Sequence, residues 1–394
     1  MEKSNKKYKY IVSFPHLGNY YIPVYNLLNN IVDKEKVKVL MPKKITNNTI
    51  MQGAKSSPDF ACVPFKYNMG NYIEALEDGA NVLIQAGGGC RYGYYYEVQE
   101  QILKDMGYNF TFIPLMEEDG VNVLKVYRKL KILNENLSFY DFCYYFLLGF
   151  RMINILDKFE SYIRINFSLQ DNKKEFERIH KELLLDFIKV KNMSMLYNLK
   201  RKYTKKLKEV KLNSVTKDKL KIGIVGELFT SMEPYSSFFI EKELTNLGCI
   251  VKRYTTATYL LFQKGFAQKN IMKKANKYID YQLGADGAET IAHTLEMIEQ
   301  KYDGIIHIKP FGCSPEVNAM PMLQNISKDY DIPIMYLTFD EQTTATGIKT
   351  RIEAFYDMLV MKKEKINENN KINNEVKVKK KIKNIKVLNP KLQT

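Results

Sequence analysis

Lys221-Ile222-Gly223-Ile224-Val225-Gly226-Glu227 reads as a short buried strand that ends on glycine, and it restarts a pattern seen two hundred residues earlier. Apolar runs resume at Ile250 to Tyr254, Gly304 to Ile308 and Ile332 to Thr338, with helical stretches between them. Upstream, Lys9 to Phe14, Lys36 to Met41, Val82 to Gln85 and Phe110 to Pro114 alternate in the same way with amphipathic stretches such as Tyr20 to Val32 and Tyr95 to Met106. Strand and helix alternating at this spacing predict parallel, doubly wound sheets, here one in each half of the chain. The expected organisation is a first α/β unit over 8–125, a helical insertion over 126–217, a second α/β unit over 218–361 and a Lys-rich tail over 362–394. The insertion is read from Tyr140 to Phe167 and Lys173 to Val190, which are periodic and almost free of Gly and Pro. The last helix of the second unit is expected from Gly347 to Leu359.

The 394 residues suffice for more than one core. A content of 45% hydrophobic and 26% charged residues excludes wholesale disorder. The longest strongly apolar stretch, Phe142 to Phe150, is about half the ~18 residues a spanning helix needs, and the basic N-terminus precedes an apolar run too short for a secretory signal. No membrane association and a cytoplasmic location are therefore expected. The net charge of +16 is unevenly placed. Eleven Lys against three Glu between Lys362 and Thr394 supply half of it, in a tail expected to be mobile or marginally helical. A second basic stretch, Lys200 to Lys208, falls in a helix or linker. Neither carries a zinc-finger or RNP-type motif, so solvated faces are expected in place of a nucleic-acid groove.

Five cysteines, an odd number spread through the chain, read as reduced thiols or metal ligands. In open parallel sheets ligands bind beyond the carboxyl ends of the strands, so the residues after each apolar run matter most. Cys90 follows Val82 to Gly89 and Cys313 follows Ile305 to Gly312, while Cys62 sits in Ala61-Cys62-Val63-Pro64, with the same Cys-x-Pro spelling as Cys313. Glycine lets backbone amides approach a sulfur, and a proline two residues on suits a loop entering a helix, whose dipole favours thiolate. Cys143 among aromatics and Cys249 at a strand start read as buried small hydrophobes.

With those residues in place the chain resembles the 2-hydroxyacyl-CoA dehydratase (D-component) family, in the branch of activase-related (CoA protein activase) and double-cubane-cluster proteins. The resemblance spans roughly 8–360 and rests on Ala61-Cys62-Val63-Pro64-Phe65-Lys66, Gly89-Cys90-Arg91-Tyr92-Gly93, Ile224-Val225-Gly226-Glu227, Lys309-Pro310-Phe311-Gly312-Cys313-Ser314-Pro315-Glu316 and Thr350-Arg351-Ile352-Glu353-Ala354-Phe355. It implies two Rossmann- or flavodoxin-like halves holding one [4Fe-4S] cluster, or a bridged double-cubane form, through Cys62, Cys90 and Cys313. One iron is then left without a protein ligand, for low-potential electron transfer and the dehydration or reduction of a substrate. Arg91 is expected beside the cluster, with Lys66 and Lys309 as further cations that offset its charge, meet substrate phosphates or lie at the surface. The chain has no phosphate-binding G-x-x-x-x-G-K-[ST] loop, so an ATP-hydrolysing activator or reductase is the expected partner, with a homodimer or a dimer with a related cluster subunit as a further arrangement. The alternative is a partner or maturation subunit without turnover of its own. His307 reads as a core histidine; His16, His180 and His293 form no zinc pair; Glu227 and Glu316 are weighed for proton transfer and neither is assigned it, so no catalytic residue is named.

Overall fold

A computed structural model describes residues 8–87, 90–115, 122–172, 174–213 and 219–387, with side chains as far as residue 366 and at residue 368. Gly88 and Gly89 of the second cysteine segment, and the end of the tail, lie outside the described residues. The first half runs β1 (Tyr10–Ser13), α1 (Tyr21–Ile31), β2 (Val37–Val39), α2 (Asn47–Lys55), α3 (Val63–Glu77), β3 (Val82–Gln85), α4 (Tyr95–Asp105) and β4 (Thr111–Pro114). Four helices follow: α5 (Val123–Leu130), α6 (Phe139–Asn166), α7 (Glu175–Phe187) and α8 (Met193–Glu209). The second half runs β5 (Lys221–Gly226), α9 (Leu228–Met232), α10 (Ile240–Asn246), β6 (Ile250–Arg253), α11 (Lys264–Ala275), α12 (Gly287–Glu299), β7 (Gly304–Pro310), α13 (Ser314–Asp329), β8 (Ile334–Phe339) and α14 (Ala345–Val387).

The two sheets have the same plan. Their strand orders are β2-β1-β3-β4 and β6-β5-β7-β8, with every pairing parallel. β3 and β7 are buried along their whole lengths because helices cover both faces, which is why they read as unbroken apolar runs in the sequence. In each sheet the order reverses at its two central strands, β1/β3 and β5/β7, and a crevice opens beyond their carboxyl ends. The α/β expectation with two parallel-sheet halves holds. α14 continues past residue 361, where the second unit was expected to end, and the backbone of the Lys-rich stretch is helical to Val387. The basic stretch Lys200 to Lys208 lies on α8.

The helices between the sheets are not an appendage. Met152, Leu156 and Phe159 of α6 and Phe176, Leu183 and Phe187 of α7 share one buried cluster with Ile22 of the first half and Met232 and Ala257 of the second. Closer still, α2 and α3 cross with their backbones in contact: a methyl on Gly53 would lie 1.8 Å from the Lys66 carbonyl, and one on Gly70 1.9 Å from that of Thr49. That crossing sets the position of the amino end of α3, where Cys62 stands. No helix among the described residues is long and apolar enough to cross a membrane.

Candidate functional site

Cys62, Cys90 and Cys313 occupy the same structural position three times over. Cys62 is the N-cap of α3 and Cys313 the N-cap of α13, each with its proline in the first turn, and Cys90 caps the 3-10 turn Arg91–Tyr94 after β3. The loop-to-helix turns expected from the Gly/Pro flanks are therefore present. Gly312, at φ +77°, turns the chain from β7 into α13 in a conformation an L side chain rarely adopts. The Cys62 sulfur lies 2.9 Å from the Tyr95 hydroxyl, and the Cys90 sulfur accepts from the Tyr92 amide at 3.5 Å.

The caps face one another across the two halves. Arg91 donates from Nη2 to the Gly312 carbonyl at 2.7 Å, which ties the residue after Cys90 to the residue before Cys313. The Gly312 α-carbon also comes close to Phe60, since a methyl there would meet the Phe60 carbonyl at 3.7 Å. Each thiol lies in the field of its neighbours: Cys90 acts on Cys62, and Cys62 acts on Cys313. Burial is the main cause of their shifts, pushing Cys62 up to about 12 and raising Cys90 and Cys313 as well. Burial here outweighs the helix dipole credited above with favouring thiolate. A cation is what such buried sulfurs need in order to ionise. Cys143 and Cys249 stand apart, the first half-buried on α6 and the second fully buried at the start of β6.

Glu227 is an acidic group of this crevice. It caps α9 at the end of β5, accepting from the Phe229 and Thr230 amides and the Thr230 hydroxyl, and its charge raises all three cysteines. Burial lifts its carboxyl to about 7 against those hydrogen bonds. Between the ordinary value of 4.5 and about 7 the folded chain holds a proton that the unfolded chain has released, so this group makes stability fall as pH rises through that window. In the metal-free protein, Glu227→Gln is expected to flatten the decline in melting temperature over that range; an unchanged slope would place the carboxyl in water.

Glu316 has the opposite fate. It is fully buried, bound to His307 Nε2 at 2.7 Å and to the Thr290 hydroxyl at 3.1 Å, so His307 is the core histidine expected and Glu316 is its partner. Lys66 is no surface charge: it is buried and pairs across the halves with Glu341 at 2.8 Å, which commits it to holding them together. Lys309 is buried at the end of β7, where burial lowers its ammonium while the charges of Cys313 and Glu316 pull it back up. His16 joins the same seam, its Nδ1 2.9 Å from Glu233, whose carboxylate also takes the Gly18 amide at 2.6 Å. His180 pairs with Glu160 and His293 with Glu296.

Sequence reading missed Tyr92 and Tyr95, which brace the crevice from below. Asn68 donates to the Tyr92 hydroxyl at 2.7 Å, and Tyr95 stands edge-on to Phe65. Four tyrosines within six residues after Cys90 were the available signal. Among the described residues no three His, Cys, Asp or Glu side chains close around a single metal ion. Three thiols on facing helix caps are instead a soft donor set of the kind that suits an iron-sulfur cluster, a body larger than an ion.

No curated protein matches the chain. A comparison with known families matches residues 157–359, α6 to α14 and so the whole second sheet with the Cys313 cap, to the family described as 2-hydroxyglutaryl-CoA dehydratase, D-component. With just over half of its length matched, the chain belongs to that family.

Proposed function

We propose that the crevice between the halves holds a [4Fe-4S]-type cluster through Cys62, Cys90 and Cys313, and that the chain works as a dehydratase-like or reductive iron-sulfur protein. The observation that carries this reading is the threefold cysteine cap, with Arg91 bonded across the seam between two of the three. When bound, the cluster would supply low-potential electrons and, with three protein thiolates, an iron open to substrate.

The chain's own residues do the rest. Helix-cap geometry presents backbone amides to each sulfur, as the Tyr92 amide does for Cys90 and the Glu316 amide for Cys313. Arg91 and the buried Lys309 place positive charge beside the thiolates. Tyr95 holds the Cys62 sulfur in place. Glu227, with a carboxyl near neutrality, is suited to giving up or taking a proton in the crevice at working pH. Phe60 and Phe311, each two residues before a cysteine, expose their rings at the rim, where an ATP-hydrolysing activator would find apolar surface to dock. The substrate class follows the family description, a 2-hydroxyacyl thioester of coenzyme A or a relative of one.

Anaerobic purification followed by iron and acid-labile sulfide analysis, with EPR of the reduced protein, tests the assignment. Iron and sulfide in equal amounts with a reduced-cluster signal are expected; a colourless protein that takes up no iron under those conditions removes it.

A further inference from the structure

A separate cavity of about 540 Å³ opens where the first half, the helices α6 and α7, and the second half meet. That volume falls within the range of small-molecule sites. One wall is apolar, formed by Ile163, Phe167, Phe176, Met232, Pro234 and Phe239. The lining also carries two guanidinium groups, Arg164 from α6 and Arg253 from the end of β6, with side chains only 7% and 5% exposed.

These two buried cations share one carboxylate. Arg164 donates from Nε to Glu241 Oε2 at 2.5 Å, and Arg253 Nε lies 2.7 Å from Glu241 Oε1 but off the line of a hydrogen bond. Arg253 Nη1 has no acceptor among the described residues, and the buried hydroxyl of Ser231, which also lines the cavity, has no partner there. Two donor nitrogens of Arg253, Nε and Nη1, are therefore buried without an acceptor among the described residues, which is costly. The other acids nearby are already committed. Glu160, whose charge also acts on Arg164, binds Asn19 and His180, Glu177 pairs with Lys242, and Asp157 accepts from the Tyr20 hydroxyl and the Thr258 amide. Lys44, exposed at the rim, adds a further cation.

We propose that this cavity binds an organic anion whose carboxylate or phosphate head meets Arg164 and Arg253 while its apolar body lies against the phenylalanines. The planar guanidinium fork fits both kinds of oxyanion, and the head would supply the acceptors that Glu241 alone does not. None of the cysteines lines the cavity, so the site stands independently of the cluster assignment. Because its walls come from all three parts of the chain, an occupant would also brace them against one another.

Calorimetric titration of the full chain with inorganic phosphate, phenyl phosphate and benzoate tests the proposal. At least one of the two aromatic anions is expected to bind, and more tightly than inorganic phosphate because only the aromatics use the apolar wall. Binding of phenyl phosphate alone identifies a phosphate head, and binding of benzoate alone a carboxylate. Arg253→Met is expected to weaken the aromatic anion roughly tenfold or more. Glu241→Gln removes the internal competitor and is expected to tighten binding, a gain that a purely structural Arg–Glu–Arg group would not produce. If Arg253→Met fails to fold, Lys44→Ala at the exposed rim is expected to weaken binding severalfold with the fold intact. Cys313→Ala should leave every titration unchanged. Failure of both aromatic anions to bind, or binding indifferent to Arg253, Lys44 and Glu241, overturns the proposal.

Discussion

Cys62→Ala, Cys90→Ala and Cys313→Ala, each purified anaerobically, are expected to lose iron and acid-labile sulfide to background, while Cys143→Ala and Cys249→Ala keep the wild-type content. The first three cap facing helix starts on both sides of one crevice, whereas Cys143 packs on α6 and Cys249 sits in the core of the second sheet. A cluster needs thiolates from both halves at once, so removing any one sulfur leaves two ligands for a body that requires at least three. Retention of full iron by any of the three would break the shared-site assignment at that residue. Tyr95→Phe offers a graded companion test: without the hydroxyl 2.9 Å from the Cys62 sulfur, iron is expected to be held roughly 10-fold less tightly, the scale on which partners of metal ligands act. Circular dichroism separates loss of ligand from loss of fold, since Cys62 and Cys313 lie half-buried and Cys90 exposed at helix starts.

Gly70→Ala is expected to be among the most damaging single methyl additions in the chain's first half. Its added carbon would sit 1.9 Å from the Thr49 carbonyl, and backbone cannot swing aside as a flexible side chain does. Forcing α2 and α3 apart is expected to cost about 3 kcal/mol or more and to lower the melting temperature by roughly 5–10 °C. Gly53→Ala meets the Lys66 carbonyl at the same crossing, so the double variant should cost less than the two singles together, because one separation of the helices relieves both clashes. Gly265→Ala, with open space around it on α11, is the control and should change stability by no more than about 1 kcal/mol. The effect should also reach the crevice. α3 starts at Cys62 and carries Lys66, which pairs with Glu341 across the halves, so moving the helix shifts a ligand and loosens the seam together. A thermal scan and iron analysis of one preparation read both; an unchanged melting temperature would show that the crossing yields easily.

Much of the architecture is legible in the sequence because parallel strands buried on both faces are spelled as continuous apolar runs. All eight runs named from the sequence correspond to strands, from Tyr10–Ser13 to Ile334–Phe339. The helix caps at Cys62, Cys90 and Cys313 were legible for a related reason, since the Gly and Pro around them speak to local backbone shape. Partnership across the chain was not legible. Nothing near Lys66 points to Glu341, nothing near His16 points to Glu233, and the carboxyl value of Glu227 depends on burial created by segments far away in sequence. Neither Glu227 nor Glu316 could be assigned a role for the same reason: both follow a strand end, yet one faces the crevice and the other is spent on a core histidine.

What the amino-acid order determined by itself is therefore local and periodic: the two α/β halves, the helical segment between them, the basic stretches and the three cysteines at chain turns. Tertiary structure alone decided which charges meet, which thiols share a field, and that two arginines over eighty residues apart converge on a single glutamate. The physical reason is that secondary structure follows from interactions between near neighbours, whereas burial and electrostatic pairing are properties of the assembled interior.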